Sequence, residues 1–106
     1  MDYNIILLPD VEEKIVSIKS YISLNFSKEL GDKVADDILS GLSILKIFPE
    51  AGFDADLKYR KFDPQHKTRG IVMKKYIAFY YIVEEEKKVV VTKLFSVKEN
   101  PIKLFR

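Results

Sequence analysis

Tyr76-Ile-Ala-Phe-Tyr-Tyr-Ile-Val83 is an unbroken run of eight apolar or aromatic residues. β-Branched and aromatic side chains are enriched in this run, and it is too short for an independent buried helix, so it predicts a β-strand. Because neither face of this strand alternates to polar residues, both faces are expected to be covered, which places the strand at the centre of a sheet. The charged turn Glu84 to Lys88 and the apolar run Val89 to Phe95 then predict a hairpin with a second strand.

The residues before this hairpin predict further antiparallel strands. Arg69 to Met73 is a strand, and Lys74-Lys75 connects it to the central strand. Neither lysine readily supplies the positive φ that a two-residue hairpin turn needs, so a longer turn is expected. Leu57 to Phe62 is interpreted as an edge strand or an extended loop, and Asp63 to Thr68 as irregular chain.

The N-terminal half predicts a short strand and two helices. Asn4 to Leu8 is the strand, and Asp10, with Glu13 three residues later, is the expected N-cap of the first helix. Ser27 is the expected cap of the second helix, which ends before Pro49. The apolar residues that recur at helical spacing are Val11, Ile15, Ile18 and Ile22 in the first helix, and Leu30, Val34, Ile38, Leu39, Leu42 and Leu45 in the second.

These elements together predict one α+β domain that spans residues 1–106. An N-terminal strand is followed by an αα-hairpin, and then by an antiparallel sheet of three or four strands with the helices packed on one face. The apolar faces of the helices are expected to form the core, although they would also suit an interaction surface.

The composition excludes several classes of protein. The chain has no cysteine and a single histidine, so neither a disulfide framework nor a Cys-based zinc site is expected, and we expect no metal or cofactor. The N-terminus does not have the pattern of a signal peptide, and no apolar run approaches the roughly 20 residues of a membrane span. We therefore expect a cytoplasmic protein without a membrane partner.

Charge is distributed unevenly along the chain. Residues 1–57 carry a net charge of −6 and residues 58–106 a net charge of +8. The asymmetry predicts a polyanionic or acidic partner for the C-terminal half, unless the charges cancel across an ordinary solvated surface. The candidate binding residues are the basic side chains Lys58, Arg60, Lys61, Lys67, Arg69, Lys74 and Lys75. Tyr59 and Phe62 lie among them, which suits phosphate binding with base stacking, an acidic protein segment, or simply solvent.

His66 is the only histidine, and it lies in a loop that contains proline. An imidazole that titrates near neutral pH would serve as a general acid or base, whereas a lone loop histidine is more often merely solvated.

The order and spacing of several motifs resemble the RelE/ParE superfamily of bacterial type II toxin–antitoxin modules. The motifs are Arg69-x6-Tyr76-x3-Tyr80, Val89-x-Val91 and Phe95-Ser-Val-Lys-Glu-Asn-Pro101, and the likeness covers nearly the whole chain. The resemblance implies a toxin that arrests growth and forms a hetero-oligomer with a cognate antitoxin. It also implies one of two targets, DNA gyrase for ParE-like members or ribosome-bound mRNA for RelE-like nucleases.

Departures from the nuclease pattern favour the ParE-like interpretation. Ile77 stands where RelE-like nucleases tend to have an arginine, Lys98-Glu99 stands where paired arginines are expected, and Phe105 lacks the hydroxyl of a catalytic tyrosine. In the RelE-like alternative the catalytic residues would be Arg60, Arg69, His66 and Lys98. A member without toxicity, which acts only as a binding partner, is the third possibility.

Overall fold

The computed structural model describes residues 2–97. Three helices and five strands follow one another as β1 (Asn4–Leu7), α1 (Pro9–Asn25), α2 (Lys28–Ser43), β2 (Phe53–Asp54), α3 (Ala55–Lys58), β3 (Arg69–Met73), β4 (Tyr76–Val83) and β5 (Lys88–Ser96). Short 3-10 turns occupy Ile44–Lys46, Pro49–Ala51 and Glu84–Glu86. The predicted α+β order of strand, helical hairpin and sheet is confirmed.

The sheet has five strands in the order β1-β5-β4-β3-β2. The pairs β2–β3, β3–β4 and β4–β5 are antiparallel, which matches the predicted antiparallel part. Strand β1 adds a fifth, parallel strand at the edge, with Ile5 beside Val89 and Leu7 beside Val91. This pairing joins residues 4–7 to residues 88–91, which are far apart in the sequence, so no local sequence pattern predicts it.

Strand β4 lies between β3 and β5, and its middle residues Ile77 to Tyr80 are buried, as predicted for a central strand. One of its faces packs on the helical hairpin through a largely aliphatic core. The buried members of this core are Val11, Ile15, Ala35, Ile38, Leu42, Leu45, Met73, Ala78, Tyr80, Val89, Val91 and Leu94.

The helical stripe is shorter than predicted. Leu30 and Leu39 are 41% and 46% exposed, while the smaller Gly31 and Ala35 are buried instead. A Cβ atom at Gly31 would lie 2.8 Å from the carbonyl oxygen of Lys19, so glycine permits the close approach of α2 to α1. The helices therefore meet through small residues, and several larger apolar side chains remain outside the core.

The opposite face of β4 is covered by an aromatic cluster. Its buried members are Ala55, Ile77, Phe79 and Phe95, and Phe53, Tyr59 and Phe62 pack against them. The expectation of an edge strand at Leu57 to Phe62 is wrong, because Leu57 and Lys58 belong to α3 and the edge strand is β2, while residues 60–62 form a loop. Asp54 causes the early helix start, since its side chain accepts a hydrogen bond from the Leu57 amide at 3.0 Å.

Two further local predictions differ from the structure. Helix α1 begins at Pro9, with Leu8 at the N-cap and no side-chain cap, rather than at Asp10. The Lys74-Lys75 connection is a two-residue turn after all, because Met73 pairs directly with Tyr76. Lys74 adopts a φ of 59° to close it. The predicted Ser27 cap is confirmed by its 3.1 Å bond from the Leu30 amide.

Within residues 2–97, no helix is both long enough and apolar enough to cross a membrane. No cluster of three or more His, Cys, Asp or Glu side chains in that part of the chain has the arrangement of a metal site.

Candidate functional site

The basic side chains predicted to bind a partner divide between two places. Lys58, Arg60, Lys61 and Lys67 surround the aromatic cover of the sheet, whereas Lys74 and Lys75 lie at the β3–β4 turn. Arg69 and Met73 stand at opposite ends of β3, about 13 Å apart at the usual rise of a strand. The seven residues therefore do not form one continuous patch.

Acidic side chains hold the first group in place. Lys61 Nζ lies 3.5 Å from Asp56 Oδ2, and Lys67 Nζ lies 3.4 Å from Asp54 Oδ2. The pKa of Asp54 is lowered because its carboxylate accepts the Leu57 amide and also a hydrogen bond from Lys67. The Asp56 carboxylate accepts backbone amides as well, from Phe62 at 3.2 Å and from Thr68 at 3.0 Å. These carboxylates therefore shape the loop at the same time as they neutralise its lysines.

Lys58 interacts with aromatic rings instead. Its Nζ lies 5.1 Å from the centroid of the Phe53 ring and 5.7 Å from that of Tyr59, within the range of a cation–π contact. Tyr59 and Phe62, which suggested base stacking, both pack against Phe79 in the buried cluster. The rings of Tyr59 and Phe62 are consequently packed against other aromatic rings of the fold.

Arg69 and Tyr80 fasten the chain between Pro49 and Gly52 to the sheet. The buried Tyr80 hydroxyl donates to the Pro49 carbonyl at 2.7 Å and accepts the Gly52 amide at 2.9 Å. Arg69 Nη1 donates to the Gly52 carbonyl at 2.9 Å. Burial raises the pKa of Tyr80, partly offset by the Gly52 amide and the Arg69 charge. Two residues of the sequence motif thus act together as a clamp on this segment.

His66 is held on two sides. Its Nδ1 lies 2.8 Å from Asp63 Oδ2, and its ring stacks on Tyr81 with centroids 3.8 Å apart and planes 14° from parallel. The pKa of Asp63 is lowered, first by the Gln65 amide and then by His66. The histidine therefore closes the 63–66 loop onto β4. Of the other proposed catalytic residues, Arg60 is exposed and Lys98 lies outside the described residues.

An apolar groove, which sequence analysis missed, opens between the helical hairpin and the β3–β4 turn. Its volume is about 410 Å³, and its lining residues are Ile22, Phe26, Leu30, Val34, Asp37, Ile38, Met73, Lys74, Lys75 and Tyr76. Phe26 is 70% exposed there. The signal in the sequence is the apolar stripe itself, because Ile22, Leu30 and Val34 belong to it and line the groove.

Asp37 is the acidic residue of this groove. Its Oδ2 lies 2.9 Å from Lys74 Nζ and 3.2 Å from Lys33 Nζ. These two hydrogen bonds, led by that from Lys74, lower the pKa of Asp37. The partnership leaves Lys75 as the groove's basic side chain without an ion pair among residues 2–97.

A second exposed apolar surface lies at the other end of β4, where the clamped segment meets the start of the chain. We call it the Phe48 surface, and its residues are Tyr3, Ile44, Ile47, Phe48, Glu50 and Glu84. It contains a shallow cleft of about 670 Å³. Sequence analysis did not predict this surface, because the second helix was expected to continue to the exit at Pro49.

Comparison with known proteins identifies the family. Residues 5–101 match the model of the ParE toxin of the type II toxin–antitoxin system parDE. The chain belongs to the ParE toxin family. As a ParE-like toxin of a toxin–antitoxin system, it has an antitoxin as its partner. No curated protein sequence matches it significantly.

The fold of this ParE-family toxin is also similar to a solved structure, a chain of the chromosomal ParDE toxin–antitoxin system from P. aeruginosa. The two share 11% sequence identity with a TM-score of 0.70, over 89% of this chain and 95% of the other. At this identity the similarity shows the fold alone. The surfaces described above are formed by this chain's own side chains, and nothing about them is taken from the other structure.

Proposed function

We propose that this ParE-family toxin arrests growth by binding DNA gyrase, and that it does not cleave mRNA. The observation that carries the proposal concerns Arg69 and His66, the two best nuclease candidates. Both side chains make their polar contacts to other residues of the fold. Arg69 donates to the Gly52 carbonyl at 2.9 Å, and His66 pairs with Asp63 at 2.8 Å while it stacks on Tyr81.

RNA cleavage needs cations and proton donors aimed together at a scissile phosphate. Here the guanidinium of Arg69 is turned towards backbone carbonyls at Gly52 and Glu50. The lysines nearest in sequence have carboxylate partners of their own, as Lys61 has in Asp56 and Lys67 in Asp54. This arrangement supports a protein target better than a nucleic-acid target.

We further propose that the cognate antitoxin inserts apolar side chains into the groove at the helical hairpin. Seven of the ten side chains that line the groove are apolar or aromatic, and such a patch is typical of a stable protein interface. Phe26 and Leu30, at 70% and 41% exposed, are its accessible walls. An acidic residue of the antitoxin would face Lys75 at the rim.

The test of the target uses the purified chain in two reactions, supercoiling by purified gyrase and translation of a defined mRNA by purified ribosomes. We expect the chain to block supercoiling and to leave the mRNA intact. A chain that cuts the mRNA on the ribosome without affecting gyrase would overturn the proposal. A chain that affects neither reaction and does not arrest growth would instead support the binding-only alternative.

The test of the groove compares Phe26→Ser with Leu24→Ser. Leu24 lies two residues before Phe26, at the end of α1, and is 86% exposed, but it does not line the groove. We expect the affinity for the antitoxin to fall at least about tenfold for Phe26→Ser, as at a central anchor of an interface, and to be unchanged for Leu24→Ser. Equal affinities of the two variants would contradict the assignment.

A further inference from the structure

The Phe48 surface combines features that the fold itself does not require. Ile44, Ile47 and Phe48 are 50%, 64% and 63% exposed, although they lie within five residues of one another. Single exposed apolar residues are ordinary on a protein surface, whereas a contiguous group marks an interaction site. The cleft beside Phe48 extends this group to Tyr3 and Glu84.

The segment that carries this surface is fixed from both sides. Tyr80 bonds to Pro49 and Gly52 at 2.7 and 2.9 Å, and Arg69 bonds to the Gly52 carbonyl. At the other side of the surface, the Tyr3 amide donates to the Lys46 carbonyl at 2.8 Å. A surface that is ordered before binding loses little conformational entropy on association, which favours its use in recognition.

The charge of the cleft limits what it can bind. Its two charged lining residues are Glu50 and Glu84, and Glu84 accepts a 2.7 Å hydrogen bond from the Tyr3 hydroxyl. Lys87 Nζ lies 3.5 Å from the Tyr3 hydroxyl and 5.0 Å from the centroid of its ring, so it stands beside Glu84 at the edge of the cleft without lining it. Two carboxylates beside Phe48 would repel a phosphate backbone but attract an arginine or lysine that is flanked by apolar side chains.

The position of this surface separates it from the antitoxin groove. Tyr76 lines the groove and Glu84 directly follows the last residue of β4, so the two surfaces lie at opposite ends of the central strand. Eight residues of strand span about 23 Å. The groove is the more apolar site, which suits a stable partner. The Phe48 surface is shallower and has an acidic edge, which is typical of transient contacts.

We infer that the Phe48 surface receives the toxin's protein target, through a target segment that places a basic side chain between Glu50 and Glu84 and an apolar one on Phe48. This inference rests on the proposed function, because it requires a protein target. It adds the location and the chemistry of the contact.

Three variants of the full chain test the inference. Phe48→Ser removes the apolar contact, and Leu57→Ser is its control, because Leu57 is 86% exposed away from the surface. Glu84→Gln removes one carboxylate charge, and Glu85→Gln is its control, since Glu85 is exposed in the same turn but does not line the cleft. Growth arrest in cells, affinity for purified gyrase and affinity for the antitoxin are measured for each.

We expect Phe48→Ser to weaken gyrase binding about tenfold or more and to relieve growth arrest, as truncation of a central aromatic contact does. Glu84→Gln is expected to weaken binding by a smaller factor, and the two controls and all antitoxin affinities are expected to stay at the wild-type value. If Phe48→Ser arrests growth as the wild type does, or loses antitoxin binding instead, the inference is overturned.

The growth readout separates this inference from the proposed function. If the wild type arrests growth without binding gyrase, the gyrase proposal fails. The surface assignment then stands provided that Phe48→Ser still relieves arrest and keeps the antitoxin. A wild-type chain that does not arrest growth would overturn both.

Discussion

Two tyrosines of the central strand, Tyr76 and Tyr80, belong to one sequence motif and face the same core, yet their surroundings differ. Tyr80 is fully buried, and its hydroxyl is used as both donor and acceptor. Tyr76 is partly buried at the edge of the groove, where burial raises its pKa. The comparison shows that one end of β4 is closed by internal hydrogen bonds, whereas the other end, the open end, borders the exposed apolar groove.

The difference between the two tyrosines predicts the largest effect on stability. Tyr80→Phe leaves the Gly52 amide and the Pro49 carbonyl without their partner, and each buried unpaired group costs about 1–3 kcal/mol. We therefore expect the free energy of unfolding to fall by about 2 kcal/mol or more, as measured by urea denaturation.

The matched control is Tyr76→Phe, because the Tyr76 hydroxyl has no hydrogen-bond partner among residues 2–97. We expect this variant to unfold within about 0.5 kcal/mol of the wild type. Equal destabilisation of the two variants would mean that Tyr80 acts through the volume of its ring and not through the clamp.

A second prediction concerns the open end, where the turn is strained. Lys74 has a φ of 59°, a region that glycine enters freely and that other L-residues enter at a cost of about 1–2 kcal/mol. Lys74→Gly relieves this strain, and Lys74→Ala retains it, while both variants lose the ion pair with Asp37.

We therefore expect the glycine variant to be more stable than the alanine variant by about 1 kcal/mol in thermal unfolding, which corresponds to about 4–8 °C in Tm. A glycine variant that melts at or below the alanine variant would show that the turn is not under strain.

The sequence predicted the parts of the fold that depend on local periodicity. The eight apolar residues from Tyr76 to Val83 form the central strand, and Ser27 caps the second helix. The edge pairing of β1 with β5 was not predictable in this way, because residues more than 80 positions apart form it. Likewise Lys74-Lys75 lacks the residues of a tight turn, and the pairing of Met73 with Tyr76 forces the turn to close.

The candidate site was harder to predict, because the sequence shows which residues are charged but not which of them form ion pairs in the folded chain. Lys61 and Lys67 looked available for a polyanion, but Asp56 and Asp54 lie within about 4 Å of them once the loop folds back. Arg69 was recognised through its motif, and its interaction with the Gly52 carbonyl depends on the register between β2 and β3. The groove was not predictable from local pattern, because its lining residues come from the helical hairpin and from the β3–β4 turn, which meet only in the folded chain.

The smallest expected effect concerns the pH dependence at the open end. Hydrogen bonds from Lys74 and Lys33 hold the pKa of Asp37 below its unfolded value of about 3.9. A carboxyl group with a lowered pKa in the folded state contributes stability above its unfolded pKa, and this contribution is lost as the pH falls through the folded pKa. We therefore expect Asp37→Asn to have a slightly lower Tm than the wild type at pH 7, and the difference to disappear as the pH falls through the lowered pKa of Asp37.

Asp36→Asn is the control for this titration, because Asp36 is exposed on the same helix, whereas the ion pair with Lys74 is made by Asp37. Thermal melts of the three proteins between pH 7 and about pH 2.5 give the comparison. If the Asp37→Asn difference persists at the lowest pH, the effect comes from packing at the groove and not from the charge of Asp37. The ion pair would then orient Lys74 beside Tyr76 without adding to the stability of the fold. The open end of β4 would in that case differ still more from the Tyr80 end, which is stabilised by hydrogen bonds.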